Sequence, residues 1–178
     1  MGSINRANHV HTLIDAAKII GADSPYRFFI YGNGTDRKEL EEKVTNEGIK
    51  NVIFKEKRIP FREVAWVVSQ ATVNVMNYQQ GFGYLGVSSG KMFQYLAAGK
   101  PIVCNVTIDY DDIITKNHLG IAQNILTAED FAKAIRGLAE QRKASYEAMC
   151  ERARKTAEQF DYKLLAAKEI EVIKAACK

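Results

Sequence analysis

Short, almost wholly apolar runs alternate with amphipathic helical patterns along the sequence, and this alternation restricts the fold more than any other feature. Two such runs are Val52 to Phe54 and Ile102 to Cys104. Strands that are apolar on both faces are typical of parallel sheets covered by helices on both sides. Single helices between the strands supply the crossovers that parallel pairing needs. The pattern therefore predicts an α/β fold with a doubly wound, mostly parallel Rossmann-like sheet and a helical C-terminus.

The same patterns place the individual elements. Strands are predicted at residues 26–31, 51–54, 72–76, 102–105 and 120–123, and helices at residues 10–20, 35–47, 61–70, 88–98 and 110–116, followed by three more between 127 and 176. Gly21 and Gly48 favour the ends of the first two helices. Glu39 and Lys43 have the spacing of an ion pair along one helix face.

Composition limits the classes of function. The chain has 178 residues, 47% of them hydrophobic, which suffices for the core of one domain. A net charge of +4, with both signs interspersed, gives no argument for nucleic-acid binding. Three cysteines without a Cys-x-x-Cys motif, and no signal peptide or long apolar run, predict reduced thiols in a cytoplasmic protein.

Residues 81–103 combine a glycine-rich loop with the start of a predicted helix at Ser88 and Ser89. Glycines let backbone N–H groups approach a ligand closely, and the first turn of a helix leaves such groups unpaired and partially positive. Lys91 adds a full positive charge one turn into the helix. This arrangement predicts a site for an anion, most simply a phosphate. The alternative is that the two serines only cap the helix.

The second half of this segment resembles the donor-binding motif of family 4 glycosyltransferases. The matching residues are Ser88, Ser89, Lys91, Phe93, Tyr95, Leu96, Ala97, Ala98, Gly99, Lys100 and Pro101. The resemblance implies that Lys91 acts on the leaving phosphate and that Gly86, Ser88, Ser89, Gly90 and Gln94 bind the donor. Gly86 and Gln94 stand where many members have glutamates, and a glutamine at the second place implies weaker donor binding.

The resemblance continues across almost the whole chain, which is similar to the C-terminal half of a GT-B enzyme. Residues 2–6 resemble the Gly-x-x-x-Arg loop after the first strand of that half, which implies that Gly2 binds the donor and that Arg6 stabilises the leaving phosphate. Only Met1 precedes this loop, so the first strand is missing from the expected order. Strands 26–31 and 72–76 should then lie roughly 10 Å apart. We expect a truncated reading frame whose sheet is completed by rearrangement or by a partner chain in an oligomer.

The resemblance also implies a function. A nucleotide-diphosphate sugar would be the substrate, with no cofactor and no metal, and its sugar would pass with retention of configuration to a lipid-linked or polysaccharide acceptor. Acceptor contacts would come from an N-terminal domain that is absent here, so the chain alone should bind the donor without transferring it. The full-length enzyme would be cytoplasmic and peripheral to the inner face of the membrane.

Other readings remain open at this point. Gly81, Gly83 and Gly86 have the spacing of the dinucleotide fingerprint of nicotinamide or flavin oxidoreductases, although the preceding strand ends too early for it. Asp109 and Asp111 have an acid-x-acid spacing that can hold a metal, or Asp109 can cap the helix that follows. A sugar-nucleotide epimerase would need acids and histidines that the sequence does not group together. A non-catalytic module would use the basic C-terminal helices to bind a membrane or a partner.

Overall fold

The computed structural model describes residues 1–81, 90–107 and 112–177. A short 3-10 helix, Arg6–Asn8, precedes eight α-helices among these residues: α1 Val10–Ile20, α2 Arg37–Asn46, α3 Phe61–Ser69, α4 Gly90–Ala97, α5 Ile113–Lys116, α6 Ala128–Ala139, α7 Lys143–Glu158 and α8 Tyr162–Ala176. The five strands are β1 Phe28–Ile30, β2 Val52–Phe54, β3 Asn74–Met76, β4 Ile102–Cys104 and β5 Gly120–Ala122. The predicted α/β class, order of elements and helical C-terminus are therefore confirmed.

All strand pairs are parallel, but the described strands form two sheets. β1 pairs with β2, and β3, β4 and β5 form a second sheet with β4 in its centre. β1 and β3 do not pair with each other, so the described strands show no rearrangement that joins the two sheets. The predicted separation of roughly 10 Å between them stays a prediction. Completion of the sheet by a partner chain stays a prediction.

The β4 strand packs against helices on both of its faces. All three of its residues are fully buried, and Val103 packs in a different hydrophobic cluster from Ile102 and Cys104. The alternation follows from the two-residue period of a strand. Residues of α1, α2 and α6 surround the cluster that holds Val103, and residues of α4, α5 and α7 surround the other. This is the doubly wound arrangement that the apolar runs predict.

Helix ends agree with the sequence in most places. Gly21 follows α1 with φ 90°, and Gly48 follows α2 with φ 63°. The cap of α5 differs from the expectation, because the side chain of Asp112 accepts a hydrogen bond from the Thr115 N–H at 3.0 Å. Asp109, the expected cap, lies outside the described residues, as does the predicted start of α4 at Ser88.

Candidate functional site

An open cleft lies beyond the carboxyl ends of β1 and β2, where ligands of parallel α/β sheets bind. Its volume is about 720 Å³, and three loops line it: residues 1–3, residues 31–34 after β1, and residues 57–59 after β2, together with Val64. Lys57 and Arg58 are the charged side chains among these lining residues. The cleft is therefore cationic, which suits a phosphorylated ligand.

Backbone packs directly on backbone at the floor of this cleft. The Gly2 N–H donates to the Tyr31 carbonyl at 3.0 Å, and the Ile4 N–H donates to the Asn33 carbonyl at 2.8 Å. A β-carbon on Gly32, where φ is 135°, would lie 1.7 Å from the carbonyl oxygen of Gly2. The close approach of the two loops therefore requires glycine at position 32.

Arg37 holds the loops after β1 and β2 together from below. Its side chain is buried, with 7% exposure, and donates to the carbonyls of Gly32 and Lys55 and to the Glu41 carboxylate at 2.7 Å. The guanidinium also lies over the Phe54 ring, 5.3 Å from its centroid. The planar fork of arginine suits two carbonyls at once, so Arg37 fixes the floor rather than meeting a ligand.

Lys91 reaches from the first turn of α4 to the N-terminal loop. A β-carbon on Gly2 would lie 2.9 Å from Lys91 Cε and 3.1 Å from its Nζ. The Nζ donates to Asn8 Oδ1 at 3.0 Å and lies 5.7 Å from the centroid of the Tyr78 ring. Burial lowers the pKa of Lys91. The structure thus brings together Gly2 and Lys91, two predicted site residues that are 89 positions apart in the sequence.

The α-amino group of Met1 is buried beside this lysine. Burial, and secondarily the charge of Lys91, lowers its pKa from 8.0 to about 5. Two nitrogens that would both carry positive charge in water therefore share a poorly solvated corner of the molecule.

The remaining predicted residues lie in different places. Arg6 is exposed on the 3-10 helix, and its guanidinium makes no hydrogen bond or ion pair with other described residues. Gly90 begins α4 as described, and Gln94 is half-buried on the same helix. Gly86, Ser88 and Ser89 lie outside the described residues, so their predicted contacts stay predictions.

Several residues around the cleft were not predicted from the sequence. Asn8, Arg37, Lys57 and Arg58 each have a defined place there, and only the run of charged residues 55–58 gave a local signal. Asn8 and Arg37 contact residues far away in the chain, and no periodicity marks such contacts.

The described residues hold neither a cluster of metal ligands nor a membrane-spanning helix. Within residues 1–81, 90–107 and 112–177, no three His, Cys, Asp or Glu side chains are grouped so as to bind a metal ion. Asp109 and Asp111, the predicted alternative for a metal, lie outside these ranges. No helix in the described part of the chain combines the length and apolar character needed to cross a bilayer.

Fold and cleft together define a doubly wound α/β domain with a cationic cleft at the carboxyl ends of β1 and β2. The chain belongs to the family described as glycosyl transferases group 1, whose profile matches residues 1–157. The predicted resemblance to this class of enzyme is therefore confirmed. No curated protein matches the chain in sequence.

Solved structures of glycosyltransferases share the fold. HepE of Anabaena, crystallised with UDP, superposes with a TM-score of 0.77 at 17% identity over 98% of this chain and 48% of its own. TarM of S. aureus, crystallised with UDP and other ligands, gives 0.72 at 20% identity over 94% of this chain and 33% of its own. The C-terminal domain of LpcC from Francisella tularensis gives 0.71 at 18% identity, covering 89% and 82%. The chain thus spans a third to a half of the two longer proteins and most of the isolated C-terminal domain.

Proposed function

We propose that this chain is the donor-binding half of a GT-B glycosyltransferase of family 4, which holds a nucleotide-diphosphate sugar for transfer to a lipid-linked or polysaccharide acceptor. The observation that carries the proposal is the contact between Lys91 and Gly2 beside the cationic cleft. Structures of HepE and TarM were solved with UDP, which supports uridine nucleotides as the first ligands to test.

The proposed chemistry is electrostatic. As the bond from the sugar to the diphosphate breaks, negative charge grows on the leaving diphosphate, and fixed positive groups lower the barrier by stabilising that charge. Lys91 and Arg6 are the proposed catalytic cations. The backbone N–H groups of Gly2, Gly86 and Gly90, and the hydroxyls of Ser88 and Ser89, are proposed to hold the diphosphate. Gln94 accepts a ribose hydroxyl, and Lys57 and Arg58 attract the nucleotide into the cleft.

This mechanism uses the charges of the protein where other glycosyltransferases use a divalent metal, and it retains the configuration of the sugar. The acceptor is held by an N-terminal domain of the complete enzyme, which works in the cytoplasm at the inner face of a membrane. The 178-residue chain alone then binds the donor but transfers no sugar.

A thermal unfolding panel tests the proposal. UDP, GDP, UDP-glucose, pyrophosphate and NAD are each added to the chain. A ligand at 100 times its dissociation constant stabilises by about 2.7 kcal/mol. For a domain of this length, that corresponds to a rise in melting temperature of roughly 5–10 °C. We expect such a rise with a uridine or guanosine diphosphate species and none with NAD.

Variants locate the ligand. Lys91→Ala should weaken nucleotide binding at least tenfold, about 1.4 kcal/mol. Lys133→Ala removes an exposed helical lysine outside the cleft and should leave binding unchanged. A response to NAD alone, or no response to any nucleotide, would contradict the proposal, as would equal effects of the two variants.

A further inference from the structure

The side chain of Asn8 meets the ammonium of Lys91 with its oxygen. Lys91 Nζ donates to Asn8 Oδ1 at 3.0 Å, and an ammonium has only donors, so the amide nitrogen cannot take this place. The nitrogen is used elsewhere, because Asn8 Nδ2 donates to Asn5 Oδ1 at 3.0 Å. Rotating the amide by 180° would set donor against donor at Lys91. Both ends of the Asn8 amide are therefore engaged in one defined orientation.

Asn5 fixes the orientation of that amide. Asn5 is the N-cap of the 3-10 helix Arg6–Asn8, and its Oδ1 also accepts from the backbone N–H of Asn8 at 3.2 Å. A backbone N–H can only donate, so the side-chain oxygen of Asn5 has to point toward Asn8. The cap of the short helix thus sets the direction of the Asn8 side chain.

The segment after β3 anchors this short helix to the sheet. The Gln79 N–H donates to the Ala7 carbonyl at 2.8 Å, and the side-chain amide of Asn77 donates to the His9 carbonyl. Asn77 is itself buried, with 7% exposure. The chain that leaves the sheet therefore holds the 3-10 helix at its middle and just after its end, which places Asn8 relative to β3.

His9 turns the chain between the 3-10 helix and α1. Its φ is 38° and its ψ is 50°, in the left-handed region that is unfavourable for residues other than glycine. Residues in this region persist where the surrounding structure holds them, and they cluster at ligand sites. Here the Asn77 amide holds the carbonyl, and the Thr12 hydroxyl lies 3.0 Å from His9 Nδ1. The strained turn lies directly beside the residue that contacts Lys91.

The chemistry of an amide matters at position 8. A neutral amide oxygen accepts a hydrogen bond from an ammonium and adds no charge of its own. A carboxylate in the same place would form an ion pair with Lys91 and repel a diphosphate. Asn8 thus holds the ammonium beside Gly2, which lines the cationic cleft, without cancelling its positive charge.

We propose that Asn8 is a positioning residue for Lys91 in donor binding: its amide oxygen holds the ammonium beside the cationic cleft and leaves the charge to the diphosphate. Asn5 orients that amide, and the segment after β3 holds the 3-10 helix that carries it. The inference rests on the proposed function and extends it, because Asn8 acts through Lys91 and not through contact with the donor.

Two variants test the role in the chain without ligand. The pKa of Lys91 is followed by NMR of its ε-carbon, assigned by comparison with Lys91→Ala. A hydrogen bond to the charged form favours that form, so Asn8→Ala should lower the pKa of Lys91 and Asn8→Asp should raise it. The Met1 amine, the Cys104 thiol and the Tyr78 ring also act on the ammonium and are the same in each variant.

Titration with UDP gives the second readout. Both variants should bind UDP more weakly, although they shift the pKa of Lys91 in opposite directions. We expect a loss of about fivefold for Asn8→Ala, which releases the ammonium, and of roughly tenfold for Asn8→Asp, which pairs with it. A purely structural role of Asn8 would not produce opposite pKa shifts. Asn46→Asp adds the same charge at an exposed position of α2 and should change neither readout.

A double-mutant cycle separates positioning from direct contact with the ligand. Asn8→Ala should cause no further loss of UDP affinity once Lys91→Ala is present, because its effect passes through the lysine. Equal losses in both backgrounds would show that Asn8 acts on the ligand by itself and would overturn the positioning role. Urea denaturation shows whether each variant is folded. If Asn8→Ala does not fold, Asn8→Asp carries both readouts.

The inference and the proposed function fail in different ways. An unmodified chain that binds no UDP would contradict the proposed function, and with it any role of Asn8 in donor binding. A chain that binds UDP through Lys91 but keeps its affinity in both Asn8 variants would overturn the inference alone. An unchanged pKa of Lys91 in both variants would overturn it as well, because Asn8 would then not hold the ammonium.

Discussion

Gly32 shows how a single residue shapes the cationic cleft. Its missing side chain lets the loop after β1 lie against the carbonyl of Gly2, and the same contact brings Gly2 within reach of Lys91. The geometry of the cleft therefore depends on backbone approach as much as on charge. A side chain at position 32 would separate the two loops.

Replacing this glycine should be costly. In Gly32→Ala the new β-carbon would lie 1.7 Å from a backbone oxygen, so one loop must move. We expect a loss of roughly 1–3 kcal/mol in the free energy of unfolding and weaker nucleotide binding. Urea denaturation and ligand titration measure the two effects.

Gly48→Ala is the matched control. Gly48 also has a positive φ, but a β-carbon there would meet nothing within 4 Å. Its cost should come from backbone conformation alone, about 1 kcal/mol, with no effect on binding. If both variants lose binding equally, the contact between the loops is not what shapes the cleft.

Side-chain partners separate what the sequence can predict from what it cannot. The predicted pair of Glu39 and Lys43 is wrong, because Lys43 instead meets Asp15 on α1 at 2.6 Å. Helix spacing identifies candidates within one helix, but it carries no information on a neighbouring helix 28 residues away in sequence. The sequence predicts the contact between Lys91 and Gly2 only through two motifs taken together. It does not predict Asn8 as the hydrogen-bond partner of Lys91.

At the scale of elements, Asn105 extends the pairing of β3 with β4 beyond the last ladder residues. Its side-chain amide donates to the Tyr78 carbonyl and accepts from the Tyr78 N–H, both at 2.8 Å. Asn105 is 1% exposed, so water does not compete for these two hydrogen bonds of its amide.

Removing the amide should destabilise this end of the sheet. Asn105→Leu keeps a similar volume but removes both hydrogen bonds from this amide to the backbone of Tyr78, at a cost of roughly 2–4 kcal/mol. The Tyr78 amide should also exchange faster with solvent. Asn46→Leu, at an exposed position near the end of α2, should change stability far less. Equal stabilities of the two variants in urea would show that Tyr78 finds other partners.

Element boundaries were largely predictable, for a physical reason. Apolar runs and terminal glycines act locally, so each described strand and helix lies within about three residues of its prediction. β1, β2 and β3 begin one or two residues later than predicted, as in β1, which begins at Phe28 and not at Tyr26. Pairing, which depends on the neighbouring strand, decides where a ladder begins, and the sequence of one strand does not contain that information.

For the whole molecule, the buried amino group of Met1 predicts a pH dependence of stability. The pKa of this group is lower in the folded chain, about 5, than the 8.0 of an exposed amine. Between these values the unfolded chain binds more protons, so stability should rise with pH from about 5 to 8. The full effect is up to about 4 kcal/mol, and the lowered pKa of Lys91 acts in the same direction at higher pH.

Chemical denaturation at a series of pH values measures this dependence. An N-terminally acetylated chain is the control, since it has no amine to titrate and should lose most of the slope between pH 5 and 8. If the acetylated and free chains show the same slope, the amine is not buried as the structure places it.

The hydrogen bond from Lys91 to Asn8 has a consequence for ligand affinity. A flexible lysine gives up about 2 kcal/mol of rotamer entropy when it is immobilised. Here the restraint exists before any ligand arrives, because Asn8 already holds the ammonium at 3.0 Å beside Gly2. A phosphate that binds there meets a preorganised cation, and little of its binding energy is spent on ordering that side chain.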